Sequence, residues 1–210
     1  MLLNMGRDGE VTLRNWWKLF WTTLLIGSAA GLVVGLALAL GDAEFRAYNA
    51  LEIGYNVLVM ALAGMMFSIL SQMGFFAYMT LNYIAKDMFR KPATWKLIQL
   101  FLILTVPFEI WLFIWKGAWY AFVSGALIIL AVSVAVAAWK VKLTNPNAWI
   151  PTLFFMFVGT MLETAIAVQV GNSNAIILMI IPLLVCNAWQ ILKLHTLVKP
   201  AQPKAAGESA

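Results

Sequence analysis

Residues 68–84 read SILSQMGFFAYMTLNYI. They lie inside a run, Tyr55 to Ala85, that carries no charged side chain. Yet Ser68, Ser71, Gln72, Gly74, Tyr78 and Asn82 punctuate that run with polar or small residues. Gly64, Ser68, Ser71, Phe75, Tyr78 and Asn82 follow at spacings of 4, 3, 4, 3 and 4, which puts them on one stripe of a helix. A segment this long and this apolar on its other faces reads as a membrane span, which needs about 20 residues. The polar stripe is then either a seam where helices pack or part of a site.

Working outward, five more stretches share this character. The candidate spans are 19–40, 55–84, 97–115, 118–139, 149–170 and 174–192. The chain is 63% hydrophobic and 11% charged, a composition that a soluble domain of 210 residues would not carry. Lipid offers the backbone no hydrogen bonds, so spans close their own as helices, and the absence of period-two alternation argues against a barrel. The expected fold is an all-α integral membrane protein with six transmembrane helices. The connections are too short for a soluble domain, so residues 1–195 form one six-helix domain. Residues 196–210, with Pro200 and Pro203, read as a disordered tail. Arg14 and Lys18 precede the first apolar stretch, and Ala37-Leu38-Ala39 resembles a cleavage site. The stretch exceeds the roughly 7–15 residues of a secretory signal core, so it reads as a retained anchor.

Basic residues set the expected orientation. With the N-terminus in the cytoplasm, the inner segments hold Arg7, Arg14, Lys18, Lys86, Arg90, Lys91, Lys96, Lys140, Lys142, Lys193, Lys199 and Lys204. Only Arg46 and Lys116 fall outside, and both termini are cytoplasmic. This bias accounts for the net charge of +5 without a nucleic-acid partner. Trp16, Trp17, Trp95, Trp139 and Trp149 mark inner ends, and Trp115 and Trp119 the outer hairpin, as an aromatic belt.

Little conventional chemistry is encoded. One histidine, His195, cannot build a multi-histidine metal or haem site, and it reads as an interfacial residue. One cysteine, Cys186, excludes an intramolecular disulfide and reads as a buried thiol. There is no GxSxG and no phosphate loop ending in GK[ST]. No enzyme activity, metal or cofactor is expected, and a lipid-modifying enzyme would need an interfacial nucleophile or metal site that is missing.

The intramembrane polar residues are the candidates that remain. Glu109 and Glu163 are ionisable groups inside spans, which usually face the bundle or a cavity. Each lies 14 residues beyond an inner tryptophan, Trp95 and Trp149, and therefore roughly 21 Å along its helix. Counting back from Tyr83 and Lys86 brings Gln72 and its neighbours to the same depth. The expectation is a polar layer or partner contact formed by Ser68, Ser71, Gln72, Glu109 and Glu163. The competing reading for the stripe is close packing: Gly64 lies on it, and helix 1 offers Gly27, Gly31 and Gly35 at four-residue spacing. Pro107 and Pro182 lie within helices 3 and 6, where membrane helices tolerate them.

The stretch FSILSQMGFFAYMTLNYI at 67–84 resembles the signature of the KinB-signalling pathway activation proteins, the KbaA family of endospore-forming bacteria. The opening KLFWTTLLIG from Lys18 to Gly27, the length and the six-span plan are similar as well. The resemblance implies an integral protein of the bacterial cell membrane acting positively in the pathway of a membrane sensor histidine kinase. That pathway feeds a phosphorelay and the initiation of sporulation. It implies no catalytic residues. The expected partner is thus a membrane sensor kinase, with anionic lipid at the basic inner loop Lys86–Lys91. The outer loop, with Asp42, Glu44 and Glu52 against Arg46, reads as solvated. The alternative is a small transporter or channel using Glu109 and Glu163 for a proton or cation. Missing repeat halves count against it. Oligomeric state stays open.

Overall fold

The computed structural model describes residues 5–41, 49–89, 91–115, 119–168 and 173–198. All regular structure among them is helical. The elements are α1 (Met5–Leu40), α2 (Ala50–Met88), α3 (Pro92–Phe113), α4 (Trp119–Leu143), a 3₁₀ turn (Pro146–Ala148), α5 (Trp149–Phe154), a π-helical turn (Phe155–Gly159), α6 (Thr160–Val168) and α7 (Ser173–Val198). Among the described residues, six helical stretches are long and apolar enough to cross a membrane, with α5, the π turn and α6 forming one of them together with the 3₁₀ turn.

The helix ends follow local chemistry. Asn49 caps α2: its Oδ1 accepts from the backbone N–H of Leu51 and Glu52 at 3.1 and 3.0 Å. Glu52 Oε2 accepts in return from the Asn49 N–H at 2.9 Å, completing a capping box. Glu52, read from sequence as an outer-loop charge, therefore belongs to the first turn of α2. Pro92 opens α3, where a missing N–H costs nothing. α7 runs on through Thr196, Leu197 and Val198, which the sequence reading assigned to the tail. Residues 199–210, the loop 42–48 with Arg46, the hairpin at Lys116 and the His195 side chain lie outside the described residues.

Helix α1 packs most extensively on α2 and then on α7, and α2 also packs on α7. The α5–π–α6 stretch occupies the middle of the bundle. It is 61% buried, whereas no other span exceeds 44%. Its Phe154, Phe155, Met156, Phe157 and Val158 form the centre of the core with Phe75 and Tyr78 of α2 and Ile103, Val106 and Ile110 of α3. Phe155 meets Phe75 at 5.6 Å and Tyr78 at 5.0 Å between ring centroids, and Trp95 extends the cluster through Phe154.

Burial runs opposite to that of a soluble protein. Ser68, Ser71, Gln72, Gln99, Thr160, Asn187 and Gln190 are buried. Leu51, Leu104, Met66 and Phe113 are among many large apolar side chains that face outward. An outer surface of this kind is compatible with an apolar solvent, and several of the buried polar side chains hydrogen-bond to one another inside.

Candidate functional site

The buried stripe of α2 is Gly64, Ser68, Ser71, Gln72, Phe75, Tyr78 and Ala85. Its first part receives α1. A β-carbon at Gly27 would strike Ser68 and the Gly64 carbonyl, one at Gly31 would strike the Gly64 backbone, and one at Gly64 would strike the Gly27 carbonyl. Gly35 meets the Met60 side chain in the same way. Small residues on both helices let the two backbones touch. The glycine face of α1 is therefore occupied by α2 within the chain.

Seven residues beyond Gly64, the contacts change from close packing to hydrogen bonding. Ser71 Oγ donates to Asn187 Oδ1 of α7 at 2.7 Å and accepts from Gln190 Nε2 at 2.8 Å. Asn187 Nδ2 donates to Glu163 Oε2 at 2.9 Å and to Thr160 Oγ1 at 3.1 Å, both on α6. Asn187 thereby uses its carbonyl and both amide hydrogens, joining α2, α6 and α7 through one side chain. Cys186 next to it is buried with its thiol 3.8 Å from the Thr23 carbonyl of α1.

Two features of the local backbone bring Glu163 to this point. A π turn widens the helix by about one residue, which rotates everything beyond it by about 100° relative to a continuous α-helix. The turn at Phe155–Gly159 ends directly before Thr160, so it sets the face on which Thr160 and Glu163 meet α7. Gly74 of α2 provides the space: a β-carbon there would collide with Glu163 Oε1. Oε1 is buried and has no hydrogen-bond partner among the described residues, whereas Oε2 is engaged by Asn187.

Of the residues named from sequence, Ser71 and Glu163 belong to one network, linked by Asn187. Ser68 and Gln72 are buried beside it, but Gln72 Nε2 donates to Ser68 Oγ at 3.3 Å and not to a carboxylate. Glu109 lies elsewhere: it is exposed on α3. α3 turns Trp95, Gln99, Ile103, Val106 and Ile110 inward. Glu109 sits about 100° round the helix from Ile110 and falls off that stripe. An equal count of residues from Trp95 and Trp149 did not place the two carboxyls on facing sides. The buried polar residue of α3 is instead Gln99, fully enclosed, with neither amide atom partnered among the described residues.

Asn187, Gln190, Thr160 and Gln99 were not singled out in the sequence. A signal for two of them was present: Asn187 and Gln190 are three apart in an otherwise apolar helix, the spacing of one helical face. Thr160 and Glu163 repeat that spacing on the facing span. Among the described residues, no group of three His, Cys, Asp or Glu side chains could hold a metal ion.

Comparison with known proteins adds identity to this geometry. The profile of the KbaA family, described as KinB-signalling pathway activation in sporulation, matches residues 27–197, which include every member of the network. The KinB-signaling pathway activation protein of Bacillus subtilis (strain 168) is 35% identical over 188 residues, covering 84% of this chain and 93% of that protein. No solved structure matches the chain. The chain belongs to the KbaA family of KinB-signalling pathway activation proteins.

Proposed function

We propose that this chain is a multi-pass protein of the bacterial cell membrane, both termini cytoplasmic, that raises the output of a KinB-type sensor histidine kinase. It does so by contact between its own helices and the membrane helices of the kinase. It acts as a regulator and not as an enzyme. The observation that carries this reading is family membership over most of the chain. Supporting it are six membrane-length helices with apolar side chains outward, and the basic residues gathered at one end of the span plan. In this account the Ser71–Asn187–Glu163 network holds α2, α6 and α7 in the arrangement that the kinase reads.

Cross-linking in membranes, followed by co-purification with membrane sensor kinases, tests the proposal. A kinase is recovered with the parent chain and less of it with Asn187→Leu at equal abundance. Recovery of no kinase from cross-linked membranes of a sporulating host contradicts direct contact.

A second reading is favoured by one observation, the unpartnered Oε1 of a buried glutamate beside a π turn. In this reading Glu163 binds a proton or cation in transit. Reconstituted vesicles decide it: flux that depends on Glu163 supports transport, and tight vesicles leave the regulator as the account.

A further inference from the structure

Near Lys86, Lys96 and Lys140 the helices part around a cavity of about 790 Å³. Its charge comes from three different helices: Lys86 of α2, Lys96 of α3 and Lys140 of α4. Asn82, Asn145 and Asn147 add amides, the last two from the approach to and the inside of the 3₁₀ turn. No carboxylate stands among the described lining residues.

The wall is built. Lys140 is only 5% exposed, and its Nζ donates to the Ile191 carbonyl of α7 at 2.6 Å. Lys96 Nζ donates to Asn147 Oδ1 at 3.0 Å, and Trp95 Nε1 donates to Asn82 Oδ1 at 3.0 Å. Both asparagines thus have their acceptor ends engaged, and their remaining capacity is for donation. Three ammonium groups and donor amides around one space repel each other and attract an anion. That attraction grows with the low dielectric of the surrounding helices. The volume lies in the range of small-molecule sites, about 300–1,000 Å³.

We propose that this cavity binds a phosphate oxyanion, carried by an anionic phospholipid headgroup or by a free phosphate compound. Lysines bind phosphate as point charges from several directions, which suits a tetrahedral group more than a planar carboxylate. The lipid source rests on the membrane reading above, and the free source does not. Occupancy bears on the hydrogen-bonded network, because the carbonyl held by Lys140 belongs to the residue after Gln190. The bound anion draws Lys140 between the ligand and α7 and so alters how α7 is held beside α2.

The test uses the full chain in nanodiscs of phosphatidylcholine, with two probes: added phosphatidylglycerol, read as retained lipid by native mass spectrometry, and inorganic phosphate, read by equilibrium dialysis. Lys86→Gln/Lys96→Gln lowers affinity for the bound probe roughly tenfold or more. Lys91→Gln/Lys142→Gln removes the same charge from lysines outside the cavity and changes it less than about twofold. Amine labelling of the parent chain gives a readout that needs no variant: the bound probe slows modification of Lys86 and Lys96 and leaves Lys91 and Lys142 unchanged. Retention of phosphatidylglycerol alone assigns a headgroup site, and saturation by phosphate alone assigns a soluble ligand. Binding of neither probe, equal loss in both variant pairs, or uniform labelling overturns the proposal.

Discussion

One face of α2 meets its neighbours in two ways within a few turns. Around Gly64 it lies against Gly27 and Gly31 of α1 with almost no side chain between the backbones. Around Ser71 it reaches α7 and α6 through side-chain hydrogen bonds centred on Asn187. The first seam depends on what is absent, a β-carbon. The second depends on a particular set of donors and acceptors. Close packing without polar atoms tolerates no added volume but has no alternative partner to switch to. A hydrogen-bonded seam can exchange partners, which the proposed contact with a kinase would exploit.

The largest effect is expected at the glycine seam. Gly64→Leu inserts a branched side chain between two touching backbones and destabilises the fold by about 3 kcal/mol, the upper end for overpacking. Unfolding in mixed micelles measures it, and a loss below about 1 kcal/mol would show that the helices can slide apart cheaply. Next comes Asn187→Leu, which leaves Ser71, Thr160 and Glu163 without their shared partner. The expected loss is about 2 kcal/mol, since orphaned buried groups are costly but polar contacts in membranes average less than in water. Full stability in this variant would mean that the network re-pairs without Asn187.

Gly74→Ala separates the seams more finely, because its collision is with a side-chain tip and not with backbone. The expected loss is about 1 kcal/mol, and Glu163→Ala should restore most of it by clearing the space. Additive losses in the double variant would place the Gly74 effect elsewhere. A related cycle compares two α2 positions. Ser71→Ala and Glu163→Gln couple through Asn187, whereas Gln72→Leu and Glu163→Gln add within about 0.5 kcal/mol. The smallest effect is the coupling of Glu109→Gln to Asn187→Leu, within about 0.5 kcal/mol of additive, because that carboxyl stands on an exposed face away from both seams.

Much of this was legible in the residues. Six apolar stretches, the stripe on α2 and the glycine series on α1 follow from helical spacing, and the folded chain has all of them. Helical spacing set Glu163 and Glu109 alike at 14 residues beyond a tryptophan. What it could not give was rotation. Glu109 and Glu163 share that count, but a count along an axis says nothing about which side a residue faces. The π turn at Phe155–Gly159 changes the phase of the fifth span, and neither Pro151 before it nor Gly159 at its end distinguishes such a turn from a continuous helix by residue type alone. Asn187 escaped for another reason: an isolated amide in an apolar helix has no chemistry until its partners on other helices are known. Gly74 stood out only as a small residue in the apolar run, off the stripe of Gly64, Ser68 and Ser71. Only the position of the Glu163 carboxyl explains the space left there.

The most direct test separates arrangement from ionisation at the network. Glu163→Gln keeps the shape of the side chain and an oxygen to accept from Asn187, but it removes the carboxylate. The output of the sensor-kinase pathway is measured in sporulating cells at matched membrane abundance of each variant. If the network acts by holding α2, α6 and α7 in place, Glu163→Gln stays within about twofold of the parent, and Asn187→Leu falls at least fivefold, on the order of the roughly 1 kcal/mol expected for a network contact. A stable, abundant Glu163→Gln chain with no pathway output contradicts that account and points to the carboxylate itself.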